Sequence, residues 1–338
     1  MPTPAKEATR DAFGRALVRL GERDARVVVL DADLFRSTRT NLFAEKFPNR
    51  FFEMGIAEQD MVSTAAGLAM AGKIAFANSF AVFITGRAFD QVRQQVALPA
   101  LNVRLCGSSA GLTLGADGAT HQSVVDVALM RSLPNMTVIV PCDGPETERA
   151  VEASLSHPGP IYLRLSRYDT PAWTAGVTDF AIGKASCLRE GCDITIAATG
   201  VIMGEVLAAA ERLVAKGVSA EVLDVHTVKP LDADAILASA AKTGRLLTVE
   251  EHSIIGGLGS AVCELIAERA DRHIPVRRLG IRDTFGESGS ADELLELHRL
   301  TAPHIAREAE AVIGVGGEVL GVRRRASGTF LLPPAPTT

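Results

Sequence analysis

Two successive α/β units, each a doubly wound and mostly parallel sheet, are the architecture that this 338-residue chain predicts. Three observations point there. Short β-branched runs alternate with helical patterns from residue 26 to residue 313, as in chains of βαβ units. The run Arg26-Val27-Val28-Val29-Leu30-Asp31-Ala32-Asp33 is apolar at successive positions, which suits a parallel strand covered on both faces. The turn-rich stretch Tyr168-Asp169-Thr170-Pro171-Ala172-Trp173 interrupts the alternation. Domains of ordinary size then fall at 1–175 and, smaller, at 190–315, with a tail at 316–338.

The elements follow in order. Ala5, Ala8, Ala12, Phe13, Ala16, Leu17 and Leu20 recur at helical spacing, and Gly21 reads as the end of that helix. The strand at 26–33 ends in two acids at a carboxyl edge, where open α/β sheets bind ligands. Ser37, Thr38 and Thr40 fall in the loop beyond it. Phe51-Phe52-Glu53-Met54-Gly55 reads as a strand end and a tight turn. A helix from Val62 to Gly72 is so rich in Ala and so poor in charge that burial on all sides is expected. Next come a strand at 74–77, a helix from Ile84 to Val96, a strand at 101–106 and a glycine-rich loop at 107–122. A helix at 123–132, a strand at 136–141, a helix at 144–156 and a strand at 161–165 complete the first unit.

The second unit offers strands at 193–200, 220–225, 246–252 and 276–281, with helices at 203–216, around 294–299 and at 305–313. Gly256-Gly257-Leu258-Gly259-Ser260 opens a further helix reaching Arg269. Glycines at a helix start can cradle phosphate, but the rest of a dinucleotide fingerprint is missing, so the segment reads as structural. Residues 323–338 are basic, then apolar and proline-rich, and are expected to be loose or packed on a partner.

A net charge of −5 gives no electrostatic reason to expect nucleic acid or an anionic membrane as partner. No charge-free apolar run reaches about 18 residues, and the N-terminus lacks the apolar core of a signal peptide. The five cysteines are scattered without the paired spacing of a zinc site. Reduced thiols in a cytoplasm, and no metal held by this chain, are the expectation.

Glu58 lies at the edge of the Ala-rich helix. An acid in a first turn is commonly there for the helix dipole. A carboxyl group held among apolar residues can also share a proton with a ligand nitrogen. The neighbouring segments bear on the choice. Gly55-Ile56-Ala57-Glu58-Gln59 resembles the cofactor-activating motif of thiamine diphosphate enzymes of the transketolase family. Asn78-Ser79-Phe80-Ala81-Val82-Phe83 resembles the family's Ser/Thr-Phe-x-x-Phe segment. Gly115-Ala116-Asp117-Gly118-Ala119-Thr120-His121-Gln122 resembles its Gly-x-Asp-Gly-x-Thr-His-Gln loop. Three motifs in one order are far more specific than any alone. The likeness runs to about residue 314 and covers the C-terminal half of a full-length transketolase: a pyrimidine-binding domain, then a transketolase C-terminal domain.

The resemblance implies roles. Glu58 matches the carboxyl group that activates the cofactor's aminopyrimidine. Phe83 matches the aromatic that stacks on that ring, and Phe80 lines the same pocket; as plain residues, both also suit core packing. Gly86 stands where the family often has another aromatic, and Arg87 is placed to fill some of that space. His121 would stabilise charge on the donor oxygen, and Asp117 would bind a sugar hydroxyl. Arg10, Ser37 and Arg167 match positions that hold the terminal phosphate of sugar phosphates, although any one Arg or Ser is more often an ordinary surface residue. Ser109 stands twelve residues before His121, where a phosphate-binding His is expected.

The family's Gly-Asp-Gly segment with a downstream Asn, which holds magnesium (or calcium) and the diphosphate, is absent. The resemblance therefore implies a split transketolase: an N-terminal subunit of roughly 270 to 300 residues as partner, and a homodimer core within a heterotetramer. The reaction implied is transfer of a two-carbon ketol group between sugar phosphates. Arg87-Ala88-Phe89-Asp90-Gln91 also resembles deoxyxylulose-phosphate synthase, and the β subunit of 2-oxoacid dehydrogenases shares the layout; the Phe80-x-x-Phe83 spacing favours transketolase. A non-catalytic assembly subunit is the remaining alternative, against which Glu58, Phe83 and His121 stand.

Overall fold

The computed structural model describes residues 6–314; the tail expected at 316–338 lies outside the described residues. The first sheet has seven strands, in the spatial order Thr227–Lys229, Thr137–Ile139, Ile161–Arg164, Val103–Ser108, Ile74–Phe80, Val27–Asp31 and Phe51–Glu53. All neighbours pair parallel except Thr227–Lys229, which is antiparallel to Thr137–Ile139. Alternate residues of each strand point to opposite faces. Val28, Leu30, Ala75, Ala77, Val103 and Leu105 join one apolar cluster. Val27, Val29, Ile74, Phe76 and Cys106 join another, with the helix Thr9–Arg23 packed on it.

The second sheet has five strands, ordered Val276–Ile281, Leu246–Ser253, Ile194–Thr199, Ala220–Asp224 and Ser186–Arg189. It too is covered twice. Ile194, Ile196 and Ala198 meet the helices Met203–Val214 and Ala302–Ile313. Ala197 and Leu246 meet Ala233–Thr243 and Leu258–Arg269. The α/β class and the doubly wound topology of both units are as the alternation predicts.

Several local expectations fail, each for a packing reason. The first helix runs through Gly21 to Arg23; a Cβ at Gly21 would strike the Phe43 and Phe47 rings, so this glycine permits close approach rather than ending the helix. The expected helix 84–96 is broken into Ala81–Gly86, Phe89–Gln91 and a wide turn at Val92–Ala97. Thr85 Oγ1 donates back to the Ala81 carbonyl at 2.6 Å just before the break, a contact that bends helices. The Ala-rich helix spans Glu58–Met70 and is not buried on all sides: Met70 is 78% and nearby Ile56 74% exposed. Its apolarity covers a face that this chain leaves open.

Candidate active site

The three motif segments follow the carboxyl ends of Phe51–Glu53, Ile74–Phe80 and Val103–Ser108. These strands lie on the same side of the seven-stranded sheet, with Val27–Asp31 among them. Direction changes there, since the chain passes from Val27–Asp31 outward to Phe51–Glu53 and back across to Ile74–Phe80, the place where open α/β sheets form a crevice.

Glu58 opens its helix and is 3% exposed. Its carboxylate accepts from Ser79 Oγ at 3.1 Å and lies 3.2 Å from Arg87 Nη1 through each oxygen. The Arg87 guanidinium lies 4.0 Å from the centroid of the Phe83 ring, a favourable cation–π distance. Phe80 stacks on Phe83 with centroids 5.9 Å apart. The His121 ring meets Phe83 edge-on at 5.2 Å and Phe80 at 6.1 Å. Ile56, Glu58, Gln59, Asp60 and Arg87 line a cleft of about 720 Å³ here. Glu58, Phe80, Phe83 and His121 are thus brought together. The Phe83 ring and the buried Glu58 carboxylate lie on either side of the Arg87 guanidinium, an arrangement that suits a flat heteroaromatic ring.

The other expected residues form a second cluster, reached through the His121 loop. Arg167 Nη1 donates to Asp117 Oδ2 at 3.1 Å. Arg10 Nη1 donates to the Ser37 carbonyl at 3.1 Å, leaving the Ser37 hydroxyl out of that bond. Burial lowers the Arg10 guanidinium below its ordinary value, and the charges of Arg39 and Arg167 add to this. Its Nε is buried without a partner, as are the hydroxyls of Ser108 and Ser109. Arg10, Arg39 and Arg167 lie close enough to act on one another, with Asp11 and Asp117 pairing the last two, and guanidinium groups so gathered can take an anion.

Sequence reasoning missed the supports. Asp31 accepts from Leu34 N–H at 2.7 Å, Thr38 Oγ1 at 2.7 Å and Thr40 Oγ1 at 2.8 Å, so it folds the loop that carries Ser37. Burial pushes Asp31 up to about 6 despite these donors. Gln122 Nε2 donates at 3.0 Å to both the Gly115 and Glu287 carbonyls, tying the His121 loop to the second unit. Thr and Asp spaced along a loop was the available signal for the first; nothing local signalled the second. Two groups of potential metal ligands occur among the described residues, Cys142/Glu146/Asp224 and Cys187/Glu190/Glu221, and neither includes a cleft residue.

Comparison with known proteins agrees with this geometry. The family described as "Transketolase, pyrimidine binding domain" matches residues 5–172, and "Transketolase, C-terminal domain" matches 183–305. The 6-deoxy-6-sulfo-D-fructose transketolase subunit SqwH of Clostridium sp. (strain MSTE9) is 46% identical over 90% of this chain and 94% of its own length. An apulose-4-phosphate transketolase subunit of Phocaeicola vulgatus (strain ATCC 8482) is 38% identical over 89% of this chain and 96% of its own. A split-gene transketolase solved as an inactive beta4 tetramer superposes with a TM-score of 0.84 at 43% identity, covering 92% of this chain and 99% of that one. The chain belongs to the transketolase family.

Proposed function

We propose that this chain is the pyrimidine-binding subunit of a split transketolase, moving a two-carbon ketol group between sugar phosphates. The carrying observation is the chain of contacts from the buried Glu58 carboxylate through Arg87 to the Phe83 ring and on to the edge of the His121 ring. When bound, thiamine diphosphate supplies a nucleophilic carbon and an electron sink for the two-carbon unit. Glu58 would share a proton with a ring nitrogen from its buried position. Phe83, backed by Phe80, would fix the ring plane without competing for its hydrogen bonds. Thr120 Oγ1 and His121 Nδ1 are 2.9 Å apart. With the hydroxyl donating, Nε2 keeps its proton and can donate to a substrate oxygen as charge develops there.

Arg10, Arg167 and Ser37 would hold the terminal anion of the sugar, and Asp117 a hydroxyl. The names of the two relatives, a sulfosugar and a phosphosugar enzyme subunit, agree with an anionic terminus. Ser109 in place of a histidine leaves a buried hydroxyl to contribute a donor. Magnesium (or calcium) and the diphosphate would be held by a separate N-terminal subunit, with each active site between unlike chains in a two-plus-two heterotetramer. The two relatives described above, matched along nearly their whole length, are themselves subunits, and the exposed Ile56 at the cleft and Met70 at the other end of the Glu58–Met70 helix supply apolar surface for association. The division at 1–175 and 190–315 and a reducing, cytoplasmic setting belong to the same reading; five unpaired cysteines, two of them exposed, support the latter.

Calorimetry tests this. Thiamine diphosphate with magnesium is titrated into the chain alone and into its mixture with the product of an adjacent Gly-Asp-Gly-bearing reading frame. Tight binding only in the mixture is expected. Tight, magnesium-dependent binding by the chain alone sinks the split arrangement.

A further inference from the structure

Arg87 does something in the cleft that support of the fold does not require. Its backbone is pinned: its N–H donates to the Phe83 carbonyl at 2.9 Å, and Gln59 Nε2 donates to its carbonyl at 3.0 Å. Its side chain is 49% exposed, yet it turns inward. The guanidinium lies against the Phe83 ring at 4.0 Å and sets Nη1 at 3.2 Å from both oxygens of Glu58. A guanidinium is flat, delocalised and rich in N–H donors. One flat group therefore already lies over the Phe83 ring and has an N–H on the Glu58 carboxylate. An aminopyrimidine ring needs that same face and that same carboxylate, so the two cannot be in place together.

The side chain has somewhere to go. A Cβ built on Gly86 would meet nothing within 4 Å, so the space next to Arg87 is open. Leaving the cleft would break an ion pair that is half-exposed only at Arg87 and a cation–π contact, a loss that a ring hydrogen-bonded to Glu58 in its place would offset. A carboxylate as buried as Glu58 is costly without a partner, and Arg87 is the group that supplies the opposite charge.

We propose that Arg87 is a built-in stand-in for the cofactor's aminopyrimidine ring, filling the space between Phe83 and Glu58 in the free chain and swinging out when the ring enters. The proposal rests on reading Glu58 and Phe83 as the pyrimidine site. Its consequence is a threshold. Ring affinity is lowered by the fraction of chains in which Arg87 occupies the cleft, so an unassembled subunit holds cofactor poorly and keeps its buried carboxylate satisfied.

Thiamine is the probe, because it carries the pyrimidine ring and needs neither metal nor the diphosphate half of the site. The full chain, Arg87→Met, Arg87→Lys and Glu58→Gln are titrated with thiamine by calorimetry and by NMR of the arginine side chains. Arg87→Met should bind about tenfold more tightly than the wild type. Arg87→Lys, which keeps the charge without the flat group, should fall between. In the wild type, the guanidinium signal lost in Arg87→Met should shift along the titration as the group leaves the Phe83 ring. If Arg87→Met binds equally or more weakly while Glu58→Gln loses binding, the stand-in is refuted and the pyrimidine site remains. If no form binds, Arg87→Met included, removal of the side chain does not free the site and the stand-in is refuted; if Glu58→Gln binds as the wild type does, the pyrimidine site is refuted and the stand-in with it.

Discussion

Both sheets end in buried carboxylates at their carboxyl edges, and they use them in opposite ways. In the first sheet the Glu58 carboxylate is held by two side chains, Ser79 and Arg87. In the second, the strand Leu246–Ser253 carries Glu250 and Glu251, both buried, and backbone donors hold them. Glu250 accepts from Leu258 N–H and Gly259 N–H, each at 2.8 Å, closing the N-terminus of the helix Leu258–Arg269. Glu251 reaches across to the first unit, where it accepts from the Thr113 N–H and, at 3.2 Å, from Thr113 Oγ1. Its own carbonyl accepts from Arg164 Nη2 at 3.0 Å. A side-chain partner can rotate away and admit a ligand; a backbone N–H in a packed loop cannot. The first edge can exchange its partners, and the second is a brace for the loop that presents His121.

Two substitutions should separate these uses most sharply. Glu58→Gln keeps the shape and removes the shareable proton. Turnover of the reconstituted enzyme should fall about a hundredfold or more, with the denaturation midpoint nearly unchanged. Glu251→Ala should do the reverse. It leaves the buried Thr113 N–H without its acceptor, a loss of about 1–3 kcal/mol of stability, read as a lower urea midpoint. Near-normal turnover in Glu58→Gln would remove it from its proposed role. An unmoved midpoint in Glu251→Ala would show that the brace is not needed.

The difference between the two edges is only half legible in the sequence. Strand positions can be read because apolar, often β-branched runs announce parallel strands. The Glu58, Phe83 and His121 segments can be read because their chemistry is local. Ser186–Arg189 and Thr227–Lys229 cannot, being short strands that exist only through antiparallel pairing with distant partners. The glycines at 256–259 suggest phosphate, and the missing fingerprint argues against it without saying what the glycines are for. The reason is Glu250, whose carboxylate sits where an anion would, so close that a Cβ on Gly257 would collide with it. No spacing rule links residue 250 to that helix start, because tertiary packing sets it. Arg87 lies four residues after Phe83 on one helical turn, a readable neighbour, but its reach to Glu58 is set by packing between separate helices.

The locked acids predict a pH dependence. Burial pushes Glu250 up to about 7, in spite of its two backbone donors. At the seam between the units, burial also raises Glu146, and burial together with the charge of Glu146 raises Asp224. Carboxyl groups with raised folded-state values favour the protonated form in the folded chain. Their full contribution is present below the ordinary carboxylate value and is lost as pH rises through the folded-state values, about 7 for Glu250. Stability should therefore decline between about pH 5 and pH 8 by an amount on the order of 1–3 kcal/mol. Glu250→Gln should flatten that decline. Denaturant titrations across the range decide it, and an unchanged slope in the variant would mean Glu250 is ionised throughout.

The smallest expected effect concerns the exchangeable edge, at the cluster where Arg167 meets Asp117. If Arg10, Ser37 and Arg167 hold the sugar's terminal anion, Arg167→Ala should raise KM for phosphorylated substrates about tenfold and change kcat little. The ion pair complicates a single substitution. Arg167 lies 3.1 Å from Asp117, so its removal both deletes a donor to the anion and uncovers a carboxylate that repels it. Asp117→Asn beside Arg167→Ala removes that repulsion. Direct contact with the anion predicts that the double variant regains only a small part of the loss on phosphorylated sugars. A role confined to neutralising Asp117 predicts near-complete recovery. Non-phosphorylated analogues should be little affected by Arg167→Ala in either case, and equal losses on both substrate classes would place the terminal anion elsewhere.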